Sequence, residues 1–351
     1  MYKSIKYCKE IKSEVFDKKS KYLFFIAENS KNIYNDIKLL ENTEVYGAIF
    51  PEIIFDDMHY KEGVLVFELD SYIKPFIINS LIEDMDKYEE QIENNNTIIT
   101  IVDGLSPNIQ TYLENFYEII DNDVDIIGGG AGLLTLVQEP VIFDQYGIYQ
   151  DGALVVPVQD NMGISVGHGW EQLKGPLLAT HTNKNVLHSI DYKDAFDVYK
   201  NIIEENSEFR FDDNNFFDIA KQFPIGMITN NNEIIVRDPI TVANNSLVLV
   251  GEMDQNSPIA ILKGEPSKLI NAAGKTSFEA SKIVEIKKYA FVVDCISRIL
   301  YLEDKFTQEI SAIKEHTKDK QLFGILTLGE IANTNKSYIE FYNKTCVIGV
   351  S

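Results

Sequence analysis

Two polar clusters that end apolar runs near the C-terminus hold the side chains best suited to chemistry. The run Ala290-Phe291-Val292-Val293 gives way to Asp294-Cys295-Ile296-Ser297-Arg298, and a second run gives way to Thr327-Leu328-Gly329-Glu330. The segment Glu340-Phe341-Tyr342-Asn343-Lys344-Thr345 then leads into a closing strand. A guanidinium near a thiol favours the thiolate. A strand-end acid such as Glu330 can accept a ligand ammonium or brace Arg298. Nucleophilic use of Cys295 also needs a base, and no histidine lies in its segment, since His316 falls on the following helix. Free cysteines more often serve as packing residues.

Three other constellations have both a chemical and a plain reading. Arg237, in Val236-Arg237-Asp238-Pro239, either clamps a carboxylate through two parallel hydrogen bonds or pairs with Asp238 or another acid. The run Gly128-Gly129-Gly130-Ala131-Gly132 ends a strand where a phosphate loop would sit, but it fits neither phosphate-loop fingerprint. Close backbone approach beside a ligand pocket is the better account of Gly129 and Gly130. In Gly167-His168-Gly169-Trp170, the single tryptophan of the chain either lines a pocket or plugs a domain seam. His168 offers a possible haem or metal ligand, with no second histidine or cysteine placed nearby.

The elements that must position these residues follow from hydrophobic patterning. Apolar runs of strand length, such as Tyr22–Ala27, Glu44–Phe50 and Gly63–Leu69, frame a helical segment over Lys31–Glu41. The order strand, helix, strand, turn, hairpin strand occurs over roughly 22–69, 98–158 and 290–350, which predicts a repeated unit. Further helices are predicted over Phe76–Glu93, Pro107–Ile120, Tyr192–Glu205 and Pro266–Ile283, and a hairpin over Leu178–Ile190 turning at Asn183-Lys184-Asn185. Asn201–Asn215 reads as an exposed connection, with a domain boundary near 185–215. The expected fold class is α/β with α+β mixing: repeated strand-helix-strand-strand units in two sheet-containing domains. Residues 1–20 form an N-terminal extension, 21–200 the first domain and 201–351 the second.

Composition narrows the function classes. The 351 residues suffice for two domains. A net charge of -22, from 32 basic and 54 acidic side chains, repels phosphate backbones and anionic lipid and argues against nucleic-acid binding. Three widely separated cysteines outside any CxxC spacing suit a reducing cytoplasm. No apolar run approaches the ~20 residues of a membrane helix, and no secretory signal is read at the start.

Taken together and in order, several of these segments resemble the FIST (F-box and intracellular signal transduction) family, in both its N-terminal and C-terminal parts. They are Ile126–Gly132, Asp151-Gly152-Ala153-Leu154-Val155, Gly169-Trp170, Gly175-Pro176, Thr180, Ala195 and Tyr199. Farther on come Phe223-Pro224-Ile225-Gly226, Val236–Pro239, Asp294–Arg298, Gly324, Thr327–Ile331 and Phe341, Asn343, Thr345. Ser297 departs from the family's usual glycine in its Cys-x-Gly-Arg signature. The resemblance implies a sensory domain that binds a small molecule, amino acids among the ligands, and the cysteine usage places it in the cytoplasm. The expected partner is a separate signalling protein such as a kinase, cyclase or chemotaxis receptor, because no output domain follows. The expected site holds Arg237, Cys295, Arg298, Gly329, Glu330 and Asn343, with Trp170, Gly129 and Gly130 as further wall. Ligand carboxylate would meet arginine and ligand ammonium would meet Glu330. No cofactor or catalytic residue is expected. The alternatives are a haem-based nitric oxide sensor using His168 and an enzyme using Cys295.

Overall fold

A computed structural model describes residues 1–351 except 41, 121–122, 230–232, 285–287, 318–319 and 334–337. Its plan is threefold. Three parallel strand pairs, Lys21–Ala27 with Glu44–Phe50, Thr97–Asp103 with Asp125–Ala131, and Tyr289–Cys295 with Gln321–Thr327, each form the middle of a six-stranded sheet. These strands are buried almost throughout, which is why they read as unbroken apolar runs rather than alternating ones. Each first strand is joined on its other side by an antiparallel return strand: Val64–Leu69, Ala153–Val158 and Cys346–Val350. Outer strands complete the sheets at Tyr2–Cys8, Phe76–Ile78 and Gly163–Gly167.

Between its second strand and its return strand, each unit sends out a hairpin that leaves its own sheet. Glu52–Phe55 and Met58–Tyr60 pair onto Gln321–Thr327 of the third unit. Ile142–Asp144 and Ile148–Tyr149 pair onto Glu44–Phe50 of the first. Glu330–Ala332 and Glu340–Tyr342 pair onto Asp125–Ala131 of the second. The exchange is cyclic, so each sheet is completed by another unit. The sheets therefore draw strands from both sides of residue 200. Their inner faces share one core, in which Phe25 meets Phe291 at 6.2 Å and Phe67 meets Phe323 at 5.1 Å between ring centroids. Helices cover the outer faces: Ile109–Ile119 on the second sheet, and Pro266–Ile283, Ile296–Leu302 and Phe306–Thr317 on the third. The long helix over Pro266–Ile283 starts with proline, whose fixed φ suits a first turn.

Between the second and third units the chain builds a barrel. Glu171–Asn183, Ser257–Lys263, Ile225–Ile228, Ile234–Ala243, Ser246–Val250 and Val186–Ile190 pair in that order, and the last strand pairs back onto the first. The hairpin expected over Leu178–Ile190 is present, with Lys184 in the left-handed region of its turn. Helices Ala195–Asn206 and Phe216–Ala220 pack against this barrel, and Tyr199 donates to the Phe223 carbonyl at 2.6 Å.

Some expectations fail for physical reasons. Over Phe76–Glu93 only Glu89–Ile92 is α-helical, while Phe76–Ile78 extends as a strand along Ala153–Val155. Leu81, Met85, Tyr88 and Ile92 give the helical spacing, but their burial against the second sheet, not helix formation, satisfies it. The helix expected over Lys31–Glu41 is limited to Ile33–Ile37, and Glu41 lies outside the described residues. The supposed connection over Asn201–Asn215 is helical as far as Asn206, and Phe211 beyond it packs edge-on against Phe196.

Candidate functional site

The end of strand Tyr289–Cys295 faces the barrel across a cavity of about 150 Å³. The three-sheet body contributes Leu105, Leu328 and Gly329, and the barrel contributes Asp238, Ile240 and Val250. Cys295, Ile296, Ser297 and Asn343 complete its inner wall. Leu134, Leu136, Phe217 and Leu300 form the mouth and are 40%, 52%, 37% and 38% exposed, an apolar collar open to solvent. A second cavity of about 260 Å³ adjoins it, shares Gly104, Leu105, Ile240 and Val250, and reaches Arg237 and Gly251.

The cavity's acids and amides are incompletely bonded. The Asp238 carboxylate accepts at Oδ2 from the Ser297 hydroxyl at 2.8 Å and lies 3.2 Å from the Lys344 ammonium, but its Oδ1 has no partner among the described residues. The Asn343 Nδ2 donates to the Tyr342 carbonyl at 2.8 Å, and its Oδ1 is also unpartnered. Both residues are almost completely buried. Buried polar atoms are nearly always bonded, so these two oxygens stand out; Asp294, behind the strand, shares that condition, but only Asp238 and Asn343 line the cavity.

Cys295 lines the same cavity, against the Glu330 carboxyl. Burial pushes its thiol well above the usual range, and the neighbouring Glu330 and Asp238 charges push further in that direction. The thiol form prevails, which opposes nucleophilic use. Glu330 lies behind the wall: its Oε1 accepts from the Thr327 hydroxyl at 2.9 Å and its Oε2 from the Thr345 N–H at 3.1 Å. Burial raises its carboxyl to about 8.

The two nominated arginines are both engaged within the protein. Arg298 is fully buried. It grips Glu309 through Nε at 2.9 Å and Nη2 at 2.7 Å, donates to the carbonyls of His168, Leu269 and Lys344, and lies 3.2 Å from Asp294. Asp294 is pushed well up by burial and by Glu309 beside it. Arg237 pairs with Glu340 at 2.9 Å and donates to the carbonyls of Glu252 and Phe341. Its acid partner is thus Glu340 rather than the adjacent Asp238. Trp170 donates to the Lys344 carbonyl at 2.9 Å and packs on Tyr301, plugging the seam away from the cavity.

The glycine run is a packing device. Gly130 exchanges backbone hydrogen bonds with Leu328 and Gly329, and a Cβ on it would stand 2.5 Å from the Leu328 carbonyl oxygen. A Cβ on Gly129 would stand 2.8 Å from the Gly329 carbonyl oxygen. Gly329 has a φ of +98°, and a side chain there would collide with the Phe341 ring at 2.1 Å. These contacts press the Leu328–Glu330 segment against the second sheet and so fix one side of the cavity.

His168 lies elsewhere. Its Nδ1 accepts from the Trp170 N–H at 2.9 Å, and burial with the nearby Arg298 charge lowers it to about 4. The hollow around it is lined by Glu233, Lys275, Thr276 and Glu279 together with Val166, Ile234, Ala272 and Tyr342. Sequence reasoning missed Asp238, Glu309, Lys344 and the apolar collar. Strand alternation carried one usable signal, because Arg237 and Asp238 are neighbours and must point to opposite faces.

No curated protein matches the chain. Among protein families, residues 23–193 match the FIST N domain and residues 195–333 match the FIST C domain. FIST domains are generally sensory domains of signal transduction. The matches meet between 193 and 195, within the barrel region, so each covers a part of the chain that relies on the other for its sheets. The chain belongs to the FIST family.

Proposed function

We propose that this protein is a small-molecule sensor in signal transduction and that its ligand sits in the cavity between the barrel and the three-sheet body. One observation carries the reading: a concave, apolar-walled cavity at the seam is lined by two residues, Asp238 and Asn343, that each keep a buried oxygen without a partner among the described residues. Of the nominated residues, Cys295, Gly329 and Asn343 line it and Arg237 lines its neighbour. A ligand there touches both parts at once, so it shifts their relative arrangement by whatever difference in affinity it has for two arrangements. The change is then read by a separate protein such as a kinase, cyclase or chemotaxis receptor. The three unpaired cysteines Cys8, Cys295 and Cys346 support a cytoplasmic setting, and no helix among the described residues is long and apolar enough to cross a membrane.

A metabolite screen by thermal unfolding tests the reading, using the wild-type chain beside Ile240→Trp. Ile240 is partly exposed on the barrel side, and the larger side chain fills the cavity without entering either core. Compounds that raise the wild-type midpoint and leave Ile240→Trp unmoved support the site. Equal shifts in both proteins move the ligand elsewhere and overturn it.

A further inference from the structure

We infer that the ligand is a primary amine with an apolar body and no carboxylate; this rests on the sensor reading above and departs from the amino acid expected from sequence. Two residues of the wall, Asp238 and Asn343, carry buried acceptors that no described group bonds. The Asp238 Oδ1 and Asn343 Oδ1 are unpartnered, while the Ser297 hydroxyl hydrogen is already directed at the Asp238 Oδ2. An ammonium carries three donors and no acceptor, so it satisfies such a wall without bringing lone pairs of its own. A hydroxyl or a neutral amide leaves an oxygen of its own to be bonded.

The wall also lacks anything to hold a carboxylate. Among the described residues, none that lines the cavity is Lys, Arg or His. Three cations behind the wall are engaged: Lys344 by Asp238 and the Lys221 carbonyl, Arg237 by Glu340, and Arg298 by Glu309. A carboxylate in the cavity would be buried without a countercharge beside the Asp238 carboxylate, a strongly unfavourable placement. Lys344 approaches one Asp238 oxygen, and the ligand ammonium takes the other.

The remainder of the wall specifies the rest of the ligand. Leu105, Ile240, Val250, Ile296 and Leu328 surround the space, whose volume suits one ring or a short alkyl chain. The exposed leucines and Phe217 at the mouth extend the apolar surface outward, so the head lies inward and the body points to solvent. The net charge of -22 raises the local concentration of cations around the whole molecule.

Thermal unfolding of the full chain with 2-phenylethylamine and n-hexylamine, beside 2-phenylethanol and L-phenylalanine, tests the inference. The amines raise the midpoint with concentration, and L-phenylalanine and the alcohol bind about tenfold more weakly or less, as expected for a lost charge-assisted hydrogen bond or an unpaired buried charge. Asp238→Asn weakens the amines by a similar factor and leaves the alcohol unchanged. Because Asp238 also holds Lys344, that variant is first checked for a native unfolding transition; the four-ligand series on the wild type needs no variant. L-Phenylalanine or the alcohol matching the amines, or silence from both amines, overturns the amine assignment and leaves the sensor reading standing. If the broader metabolite screen with Ile240→Trp also finds no cavity-dependent binder, the sensor reading falls with it.

Discussion

Two polar clusters lie on either side of the strand end at Asp294-Cys295, and they differ in what they face. Behind the strand, Arg298, Glu309 and Asp294 are fully buried, and the guanidinium is saturated by two carboxylates and three carbonyls. In front of it, Asp238 and Asn343 are as deeply buried but each leaves an oxygen unbonded. Unbonded oxygens occur in both clusters, since Asp294 meets Arg298 as an ion pair without a hydrogen bond; the clusters differ in that Asp238 and Asn343 line a cavity and Asp294 does not. An arginine near a cysteine is therefore not evidence of a binding site by itself, and neither is an unmet hydrogen-bonding group; the better guide is such a group on a residue that lines a cavity.

The comparison can be broken by substitution. Arg298→Ala leaves Glu309 and its neighbour unpaired in the core and is expected to destabilise by about 3–5 kcal/mol, read as a large drop in urea midpoint. A loss below about 1 kcal/mol would mean that water enters this cluster and that it is not closed. Arg237→Ala should cost less, about 2 kcal/mol, because Glu340 retains some contact with solvent and can hydrate once its partner is gone. Ligand binding lost from a stably folded Arg237→Ala protein would return this side chain to the site.

Glu330 sharpens the boundary between the two clusters. Its carboxyl is raised in the folded protein to about 8 from the usual 4.5. Between those values the folded chain keeps a proton that the unfolded chain has released, so its contribution to stability falls as pH rises through that window. Wild-type urea midpoints should decline from about pH 5 to 8.5 more steeply than those of Glu330→Gln. Identical slopes would show that Glu330 is hydrated or ionised. The smallest effects belong to the cavity side. Asn343→Ala removes an unbonded oxygen together with one bond to a neighbouring carbonyl, and should change stability by less than about 1 kcal/mol. In the folded protein Cys295 should resist alkylation at neutral pH, as mass spectrometry of iodoacetamide-treated samples would show; rapid labelling would restore the thiolate reading.

Much of the architecture was legible in the sequence. The apolar runs at 22–27, 97–102 and 290–293 are strands at equivalent positions of three units, because a parallel pair buried on both faces must be apolar throughout. The helix over Pro266–Ile283 carries its own start signal. The exchange of hairpins was not legible. Pairing Ile53 with Ile325 depends on contacts remote in sequence, and local pattern says nothing about which sheet edge a short apolar hairpin will join. Closure of the barrel was hidden for the same reason. At the site, the strand-end residues were found because polar types at the ends of apolar runs stand out. Their partners were not, since Glu309 sits within an ordinary helical stretch and Asp238 was hidden behind the arginine next to it.

The cyclic hairpin exchange also governs how the chain can be made. A ribosome releases residues from the N-terminus, yet the strand Glu52–Phe55 has its partner in Gln321–Thr327, which is made much later. Until those emerge, an apolar hairpin waits with an unpaired edge, the condition under which nascent chains associate with one another. Such remote pairing also slows closure, because the entropy of ordering the intervening chain is lost before the contact forms. The protein should accordingly depend on chaperones during synthesis, and a fragment cut between the two FIST regions should be recovered mainly as aggregate.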